Sequence, residues 1–536
     1  MSLKLLAFLA AFGIGPGATW AQQGEDRFFV EKDEPEDAAE DDTLIQGSLT
    51  STTFGYRETA PVAQALTGGL VGVENASPID RVYTDLRGQL DARHLKGSSW
   101  DARADARIRM TPEDFAIQAG AYGGDEYDVR ELYLKRYGQK SDLSFGRQYI
   151  LEAAATKIDG IRVDYDASDK WRYIGFLGLY PDRTSRSVLD DYPKAAPLVL
   201  GGEPGSRILP VAGGAAAAYR FQRYYGAVGA TAILPRGDEQ LEGAPRAERP
   251  RVFVSSNGYY RHSSQLDAYH FVVVDLEGSG GRGLTNLSAG GNYRPNFNLR
   301  LNASVHRVDT ETLNVQAQTR LEDAAPLANT VINNLEVARI SSESARVGAS
   351  ASLGEQRFEV SVSGMVRRRP EIRVARPMAE PIVFPAAQAA EVTLGVVDRR
   401  SFKGYRAHGG LTRVFGFGEE NLYRSEANIL RLGAGKEFKQ GLGEYEVDLS
   451  YLSSTDEGRD VACDVLNPLT CYGTSKVNTV SLGGTVFYRI KRDWFLIGNA
   501  SVASQGITVV DTLAMQETSQ PRILITSAFF RAAYRF

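Results

Sequence analysis

The sequence predicts an all-β protein, a transmembrane antiparallel up-and-down β-barrel of roughly 18–24 strands. Three observations lead to this prediction. Apolar and polar residues alternate with a period of two along much of the 536-residue chain. The connections between these segments tend to alternate between short and long. The chain also ends in an aromatic, alternating segment whose last residue is Phe536.

The alternation is clearest in the stretch Arg81–Met110, "RVYTDLRGQLDARHLKGSSWDARADARIRM". Every second residue is apolar or small, and the residues between them are mostly Arg, Asp, Tyr or Gln. A period of two is typical of a strand, and the break at "LKGSS" indicates a hairpin. One apolar and one charged face would suit a soluble sandwich or a transmembrane barrel, so the hairpin alone leaves both open.

Strand-like segments of about 9–14 residues follow one another from Thr43 onward, the length that a tilted strand needs to cross a bilayer. We count about 22 segments from Val82 and one more near residues 44–56, and expect an even total. After Phe115–Ala121 the segments are RELYLKRYG, DLSFGR, GIRVDY, WRYIGFLGLY, YYGAVGATAIL, RVFVSSNGYYR, LDAYHFVVVDL, LTNLSAGGNY, FNLRLNASVHRV, SARVGASASL, FEVSVSGMVR, EVTLGVVD, YRAHGGLTRVF, NILRLGAGKEF, EYEVDLSYL, VNTVSLGGTVFYRI and WFLIGNASVAS.

The connections distinguish the two environments. Short ones include GEQ, KRD, KQGLG and RPN, and long ones span residues 181–213, 235–250, 309–343, 370–390, 455–474 and 505–520. A soluble sandwich has no reason to place long loops at every other connection, whereas an outer-membrane barrel has short periplasmic turns and long outer loops. We therefore expect the apolar residues of Val82–Met110 to face lipid and the charged rows to face a wet lumen.

The final segment, "RILITSAFFRAAYRF", places Phe536, Tyr534, Phe530 and Leu524 on one face. Its aromatic residues would lie where the bilayer meets water. The terminal Phe536 with Tyr534 two residues earlier resembles the C-terminal assembly signal of outer-membrane barrels. That resemblance implies two partners, the barrel assembly machinery and outer-membrane lipid.

The N-terminus predicts export from the cytoplasm. Lys4 and a short apolar run from Leu5 to Ile14 precede small residues around Trp20, the pattern of a signal peptide. We assign residues 1–21 to the signal peptide, 22–42 to an acidic disordered leader and 43–536 to the barrel. The bacterial outer membrane is the predicted location.

Composition and motifs argue against several functions. The formal net charge of -5 gives no reason to expect nucleic acid. No stretch approaches the length of an apolar spanning helix. The five His residues are scattered over different segments, and no motif has nucleophile spacing. The sequence thus predicts no enzyme, no catalytic residue, no metal site and no cofactor, although a Ser-His pair on the barrel stays possible.

One stretch resembles a family. In "ELYLKRYGQKSDLSFGRQYILEAAATKIDGIRVDYD" an aromatic strand with Tyr133 is followed by Gly146-Arg147-Gln148 and by Asp159-Gly160-Ile161-Arg162. The arrangement is similar to the central segment of alginate-export-type porins. The resemblance implies a transport barrel with charged side chains at its constriction. By that match, Arg147 and Arg162 are candidates for the lining.

Two functions follow. The first is a channel, a porin or exporter, that passes small solutes or polyanions through a charged lumen. The alternative is a non-conducting barrel whose long outer loops bind a partner or an envelope polymer. The candidate lumen-lining residues are Arg87, Arg93, Arg103, Arg107, Arg147 and Arg162. For any one of these arginines, an ion-pair ladder between neighbouring strands is the competing explanation.

Cys463 and Cys471 bracket the loop-like segment "DVLNPLT". In an oxidising compartment we predict a disulfide between them, outside the barrel wall. Alkylation without reductant should leave the intact mass unchanged, and alkylation after reduction should label both thiols. Free thiols labelled without reductant would contradict the pairing.

Overall fold

The computed structural model describes residues 43–59, 62–64, 72–74, 79–112, 125–181, 187–189, 191–192, 209–234, 250–277, 282–310, 340–376, 379–384, 386–402, 404–417, 423–458, 474–510 and 517–536. The predicted signal peptide, the acidic leader and both cysteines lie outside these ranges. No described helix is long and apolar enough to cross a membrane.

Twenty-two long strands form one sheet. They are β1 Leu44–Glu58, β2 Ile79–Arg93, β3 Trp100–Met110, β4 Glu126–Arg136, β5 Ser141–Ile150, β6 Thr156–Ser168, β7 Trp171–Leu179, β8 Val211–Arg220, β9 Tyr224–Leu234, β10 Arg251–Arg261, β11 Leu266–Glu277, β12 Gly283–Asn296, β13 Leu299–Thr310, β14 Ile340–Leu353, β15 Phe358–Arg369, β16 Ala387–Phe402, β17 Tyr405–Phe417, β18 Tyr423–Phe438, β19 Gly443–Gly458, β20 Thr474–Lys491, β21 Trp494–Val510 and β22 Ile523–Arg535.

Shorter elements accompany the sheet. The strand Glu517–Ser519 pairs with the end of β21. Two small hairpins lie in long connections, Val62–Gln64 with Gly72–Glu74 and Ile372–Arg376 with Ala379–Phe384. The described helices are three 3₁₀ turns, Leu95–Gly97, Leu151–Ala153 and Lys439–Gly441.

The sheet closes on itself. Each long strand pairs antiparallel with its neighbours in the chain, and β1 pairs with both β2 and β22. At the seam Ser48 lies opposite Arg535 and Glu58 lies opposite Ile525. Closure gives every strand two partners. In lipid this is required, because no water is present to bond the backbone N–H and C=O groups of an open edge. The fold class is confirmed, with a strand number inside the predicted range.

The connections alternate without exception among the 22 strands. Those that follow even-numbered strands have between two and six residues, and those that follow odd-numbered strands have between five and 31. Both ends of the barrel sequence, before β1 and after β22, lie on the short-turn side. This is the layout of an outer-membrane barrel, whose short turns face the periplasm.

The two faces of the sheet differ as the alternation predicts. Leu86, Leu90 and Ile108 are 36–41% exposed and lie on the outer, convex face, where neighbouring side chains diverge. The residues that alternate with them along the strands point to the inner face. Many of these are charged, and Asp105 among them is only 7% exposed. An apolar belt around a closed sheet is stable only in lipid. The chain is therefore a transmembrane barrel of the outer-membrane type.

Aromatic side chains mark the short-turn rim of the outer face. The rings of Trp494 and Tyr534 stack with centroids 4.6 Å apart, and Phe536 lies 5.8 Å from Tyr534. Across the barrel Tyr219 and Tyr224 stack at 4.9 Å. Amphipathic rings at this level suit the boundary between hydrocarbon and headgroups.

The strand predictions hold with one omission. The strand expected at Phe115–Ala121 falls outside the described residues. The sequence predicts a loop over part of β8, because "VAGGAAAAYR" shows no alternation of apolar and polar residues. Its small side chains have a structural reason, since Ala212 and Ala216 are buried beneath a segment that folds onto the inner wall.

The two faces predict opposite responses to mutation. We expect Leu86→Arg to lower the free energy of unfolding by about 2–4 kcal/mol, since it puts a charge into the hydrocarbon. Arg93→Gln should change it by about 1 kcal/mol or less, because the Arg93–Asp91 pair is open to solvent on the inner face. Urea titration of the barrel in lipid vesicles measures both. Equal tolerance at the two positions would contradict the assignment of the faces.

Phe536 completes the seam. Its N–H donates to Gly47 O at 3.1 Å, and the Gly47 N–H donates to Phe536 O at 3.0 Å. Deleting Phe536 should reduce assembly, because β1 loses two backbone bonds and the rim loses a ring. Phe536→Tyr, which keeps both, is the control. The readout is heat-modifiable gel mobility in outer-membrane fractions, and an unchanged amount of folded protein in the deletion would refute this role.

Candidate functional site

The inner wall of β2–β4 is a ladder of ion pairs. Arg87 binds Asp105 through two hydrogen bonds of 2.6 and 2.9 Å. Arg103 pairs with Glu131 at 2.8 Å, and Arg107 pairs with Glu126 at 3.1 Å. These contacts cross between neighbouring strands, so each guanidinium is compensated locally.

The strand register explains why the acids are needed. Arg87 lies directly opposite Arg107 on the neighbouring strand, an arrangement that is destabilising for like charges. Asp105 is the next residue along β3 whose side chain points inward beside Arg107. It lies opposite Gln89, whose side chain also donates to it at 3.2 Å. Asp105 on β3 thus brings a carboxylate beside the two guanidinium groups that lie opposite each other.

The end of the β5–β6 hairpin leaves the barrel wall. Pairing of β4 with β5 stops at Leu132 and Arg147, and pairing of β6 with β7 stops at Asp159 and Leu179. The two hairpin strands still pair with each other beyond these points, as far as Ile150 and Thr156. The tip has therefore lost its neighbours on both sides.

Gly146 lies where the hairpin departs. Its φ of +127° is a conformation that side-chain-bearing residues rarely adopt, and a Cβ there would overlap the backbone of Leu132. The same Gly146-Arg147-Gln148 step that carried the family resemblance is thus a bend in the strand.

The hairpin tip packs against the inner wall of β8–β10. Asn257 donates from its side chain to Leu151 O at 3.1 Å, and a Cβ at Gly229 would overlap the backbone of Glu152. A buried apolar cluster joins tip and wall and consists of Ile150, Ala153, Ile158, Ile174, Phe176, Ala212, Ala216, Ile233, Phe253 and Val273. Small wall residues make room for the tip, and burial of this cluster stabilises it there.

Arg162 ties the tip to its own strand. Its guanidinium donates to both oxygens of Glu152, at 2.9 and 3.1 Å, and to Asp164 at 2.6 Å. Glu152 belongs to the turn at the tip, whereas Asp164 remains in the wall. The ion pairs therefore span the bend and are mostly buried, with the Arg162 side chain 14% exposed.

Arg147 fills the gap that the hairpin leaves beside β4. It pairs with Asp159 and with Asp191, each at 2.5 Å, and donates to Val129 O at 3.1 Å. That carbonyl would otherwise have lost its strand partner. At 8% exposure Arg147 is buried, so removing it would take the guanidinium away from the buried Asp191 and from the partly exposed Asp159.

A second segment seals the same gap. Val188 N–H donates to Tyr127 O at 2.6 Å, and the Tyr192 hydroxyl donates to Asp159 at 2.6 Å. Val188 therefore gives the backbone of β4 a partner where the neighbouring strand is missing. Part of the long connection after β7 is thus fixed to the wall through Arg147 and Asp159.

The described His residues do not form a nucleophile–base–acid set. Ser256 contacts His270 and Ser288 contacts His306, each at 3.0 Å, without a carboxylate bonded to either ring in the part of the chain described. In the Ser-His-Asp triad the carboxylate orients the His ring. The absence of catalysis stays a prediction.

One cluster of side chains has no counterpart among the sequence motifs. His408 on β17 meets Glu446 and Asp448 on β19, although 40 residues separate His408 from Asp448 in the chain. The period of two in "YRAH" predicts that Arg406 and His408 share a face of their strand. The same period in "EYEVD" predicts this for Glu444, Glu446 and Asp448. The contact itself depends on which strands are neighbours.

Comparison with protein families finds no match, and comparison with curated proteins finds none either. Solved structures do match. OccAB1 of Acinetobacter baumannii is 8% identical, with 92% of this chain and 97% of that chain covered and a TM-score of 0.37.

Two further barrels match at a similar level. OccK2 of Pseudomonas aeruginosa, solved with glucuronate, is 10% identical over 92% of this chain and 98% of that chain, with a TM-score of 0.35. OmpT, an outer membrane protein of Vibrio cholerae, is 9% identical over 94% of this chain and all of that chain, with a TM-score of 0.31. At this level of similarity neither a family nor a function follows from the likeness.

Proposed function

We propose that the protein is an outer-membrane channel that passes small solutes through a lumen with charged walls, narrowed by the β5–β6 hairpin tip. The observation that carries the proposal is the position of that tip against the inner wall. A ring of 22 strands is wider than its own side chains can fill, so the segments that fold inward set the width of the passage.

The six arginines have two roles in this proposal. Arg87, Arg93, Arg103 and Arg107 line the lumen within an ion-pair ladder. Arg147 and Arg162 hold the segments that narrow it. Because each of the six is paired with a carboxylate, the wall presents both signs of charge at close range. Such a wall suits small polar solutes better than a polyanion, which needs an excess of positive charge.

Assembly and export fit the same proposal. Phe536 and Tyr534, at the seam and on the short-turn rim, are the residues of the last strand that we expect the barrel assembly machinery to recognise. Outer-membrane lipid would contact the apolar belt. Export of a polysaccharide remains the narrower alternative within the channel class.

Single-channel recording in a planar bilayer tests the proposal. The native barrel should conduct. Arg162→Glu should raise the mean conductance and its fluctuations, because the new carboxylate repels Glu152 and Asp164 and releases the tip from the wall. Arg172→Glu is the matched control, since its partner Asp166 is exposed and lies away from the tip.

Heat-modifiable mobility first establishes that each variant is folded. A folded native barrel without conductance would reject the channel and favour the non-conducting barrel that binds through its long outer loops. Equal effects of Arg162→Glu and Arg172→Glu would reject the tip as the constriction.

A further inference from the structure

A cluster of side chains that the channel proposal does not use lies on the inner wall near the short turns. His408 follows the start of β17 by three residues, and Asp448 follows the start of β19 by five. The strand between them, β18, places Gly433 opposite both residues. The two side chains therefore meet across a whole strand.

Gly433 makes that meeting possible. A Cβ at this position would overlap Nε2 and Cε1 of His408 and Oδ1 of Asp448. Any other residue would push the imidazole and the carboxylate apart. The neighbouring Gly483, opposite Asp448 on β20, is different, because a Cβ there would meet other atoms only at 3.7 Å.

The donor atoms converge. His408 Nε2 lies 2.9 Å from Asp448 Oδ1 and 3.8 Å from Glu446 Oε1. The three atoms all lie within 4.8 Å of one another. Ligand atoms about 2.0–2.2 Å from a tetrahedral zinc ion are separated by about 3.3–3.6 Å, which small side-chain shifts would reach here.

Arg406 holds Glu446 by one of its two carboxylate oxygens. The guanidinium binds Glu446 through Oε2 at 2.6 Å and also binds Glu444. The other oxygen of Glu446 is the one that points to His408. A contact that fixes a ligating carboxylate from behind is typical of the shell around a metal site.

The charge balance favours a divalent cation. Glu437 and Arg431 share the inner face with the cluster, since Glu437 lies opposite Glu444 and Arg431 lies two residues from Gly433. Four carboxylates, of Glu437, Glu444, Glu446 and Asp448, then face the two guanidinium groups of Arg406 and Arg431. A divalent cation would offset the excess of negative charge.

We propose that His408, Glu446 and Asp448 bind one divalent transition-metal ion of the zinc class on the lumen wall. One imidazole nitrogen with two carboxylate oxygens suits such an ion better than magnesium, which prefers oxygen ligands alone. The three side chains are 26–43% exposed, so the ion is reached from the lumen and keeps an open position for water or a solute.

Isothermal titration calorimetry tests the proposal and does not depend on conduction. Zinc is titrated into the full-length, untagged barrel, refolded in detergent. We expect one zinc ion per chain. His408→Ala removes a ligand and Asp448→Asn removes the charge of one, so each should weaken binding by about tenfold or more. Gly433→Ala should weaken it as well, although every ligand remains.

Two controls match these variants. His306→Ala removes another inner-face imidazole, and Gly483→Ala adds a Cβ on the inner face where it fits; both should bind zinc as the native barrel does. Magnesium in large excess should not displace the zinc. No saturable binding by the folded native barrel, native affinity in His408→Ala, or equal displacement by magnesium would each overturn the proposal.

Discussion

The structure depends on one constraint, that no backbone hydrogen-bonding group faces lipid without a partner. The pairing of β1 with β22 meets it, because without that seam both strands would be edges. The even strand number follows from an antiparallel ring, and so does the alternation of the connections between the two ends of the barrel, one with short turns and one with long loops. The separation into an apolar outer and a polar inner face follows as well, since a period of two leaves only these two directions.

The constraint also explains the contacts around the β5–β6 hairpin. When the tip bends inward, part of β4 loses a neighbour, and its backbone needs other partners. Arg147 and Val188 provide them, through bonds to Val129 O and Tyr127 O. The buried Arg147 therefore supplies a hydrogen bond that the backbone of β4 lacks, in addition to its ion pairs on the lumen side. Narrowing of the passage and integrity of the sheet rest on the same side chains.

The inner wall differs in chemistry from one side to the other. On β2–β4 long charged side chains form a ladder, whereas on β8–β10 small residues such as Ala212, Ala216 and Gly229 leave space for the hairpin tip. Near the short turns Gly433 again leaves space, this time for His408 and Asp448 to meet. Glycine and alanine on the inner face thus decide where other groups approach, and the charged residues decide what those groups can bind.

The sequence by itself determined the strands and their faces, because a side-chain period of two is a local property. Leu86 and Arg87 show it: adjacent residues lie on opposite faces, as the alternation predicted. It also determined the layout of short and long connections. Only the tertiary structure decided that the alanine run of β8 is a strand, since its pattern reflects the tip packed on it. Only register decided the partners of Arg147 and His408, because Asp191 and Asp448 lie 44 and 40 residues away in the chain. Such contacts depend on which strands become neighbours and on where a strand bends, and neither is encoded in local periodicity.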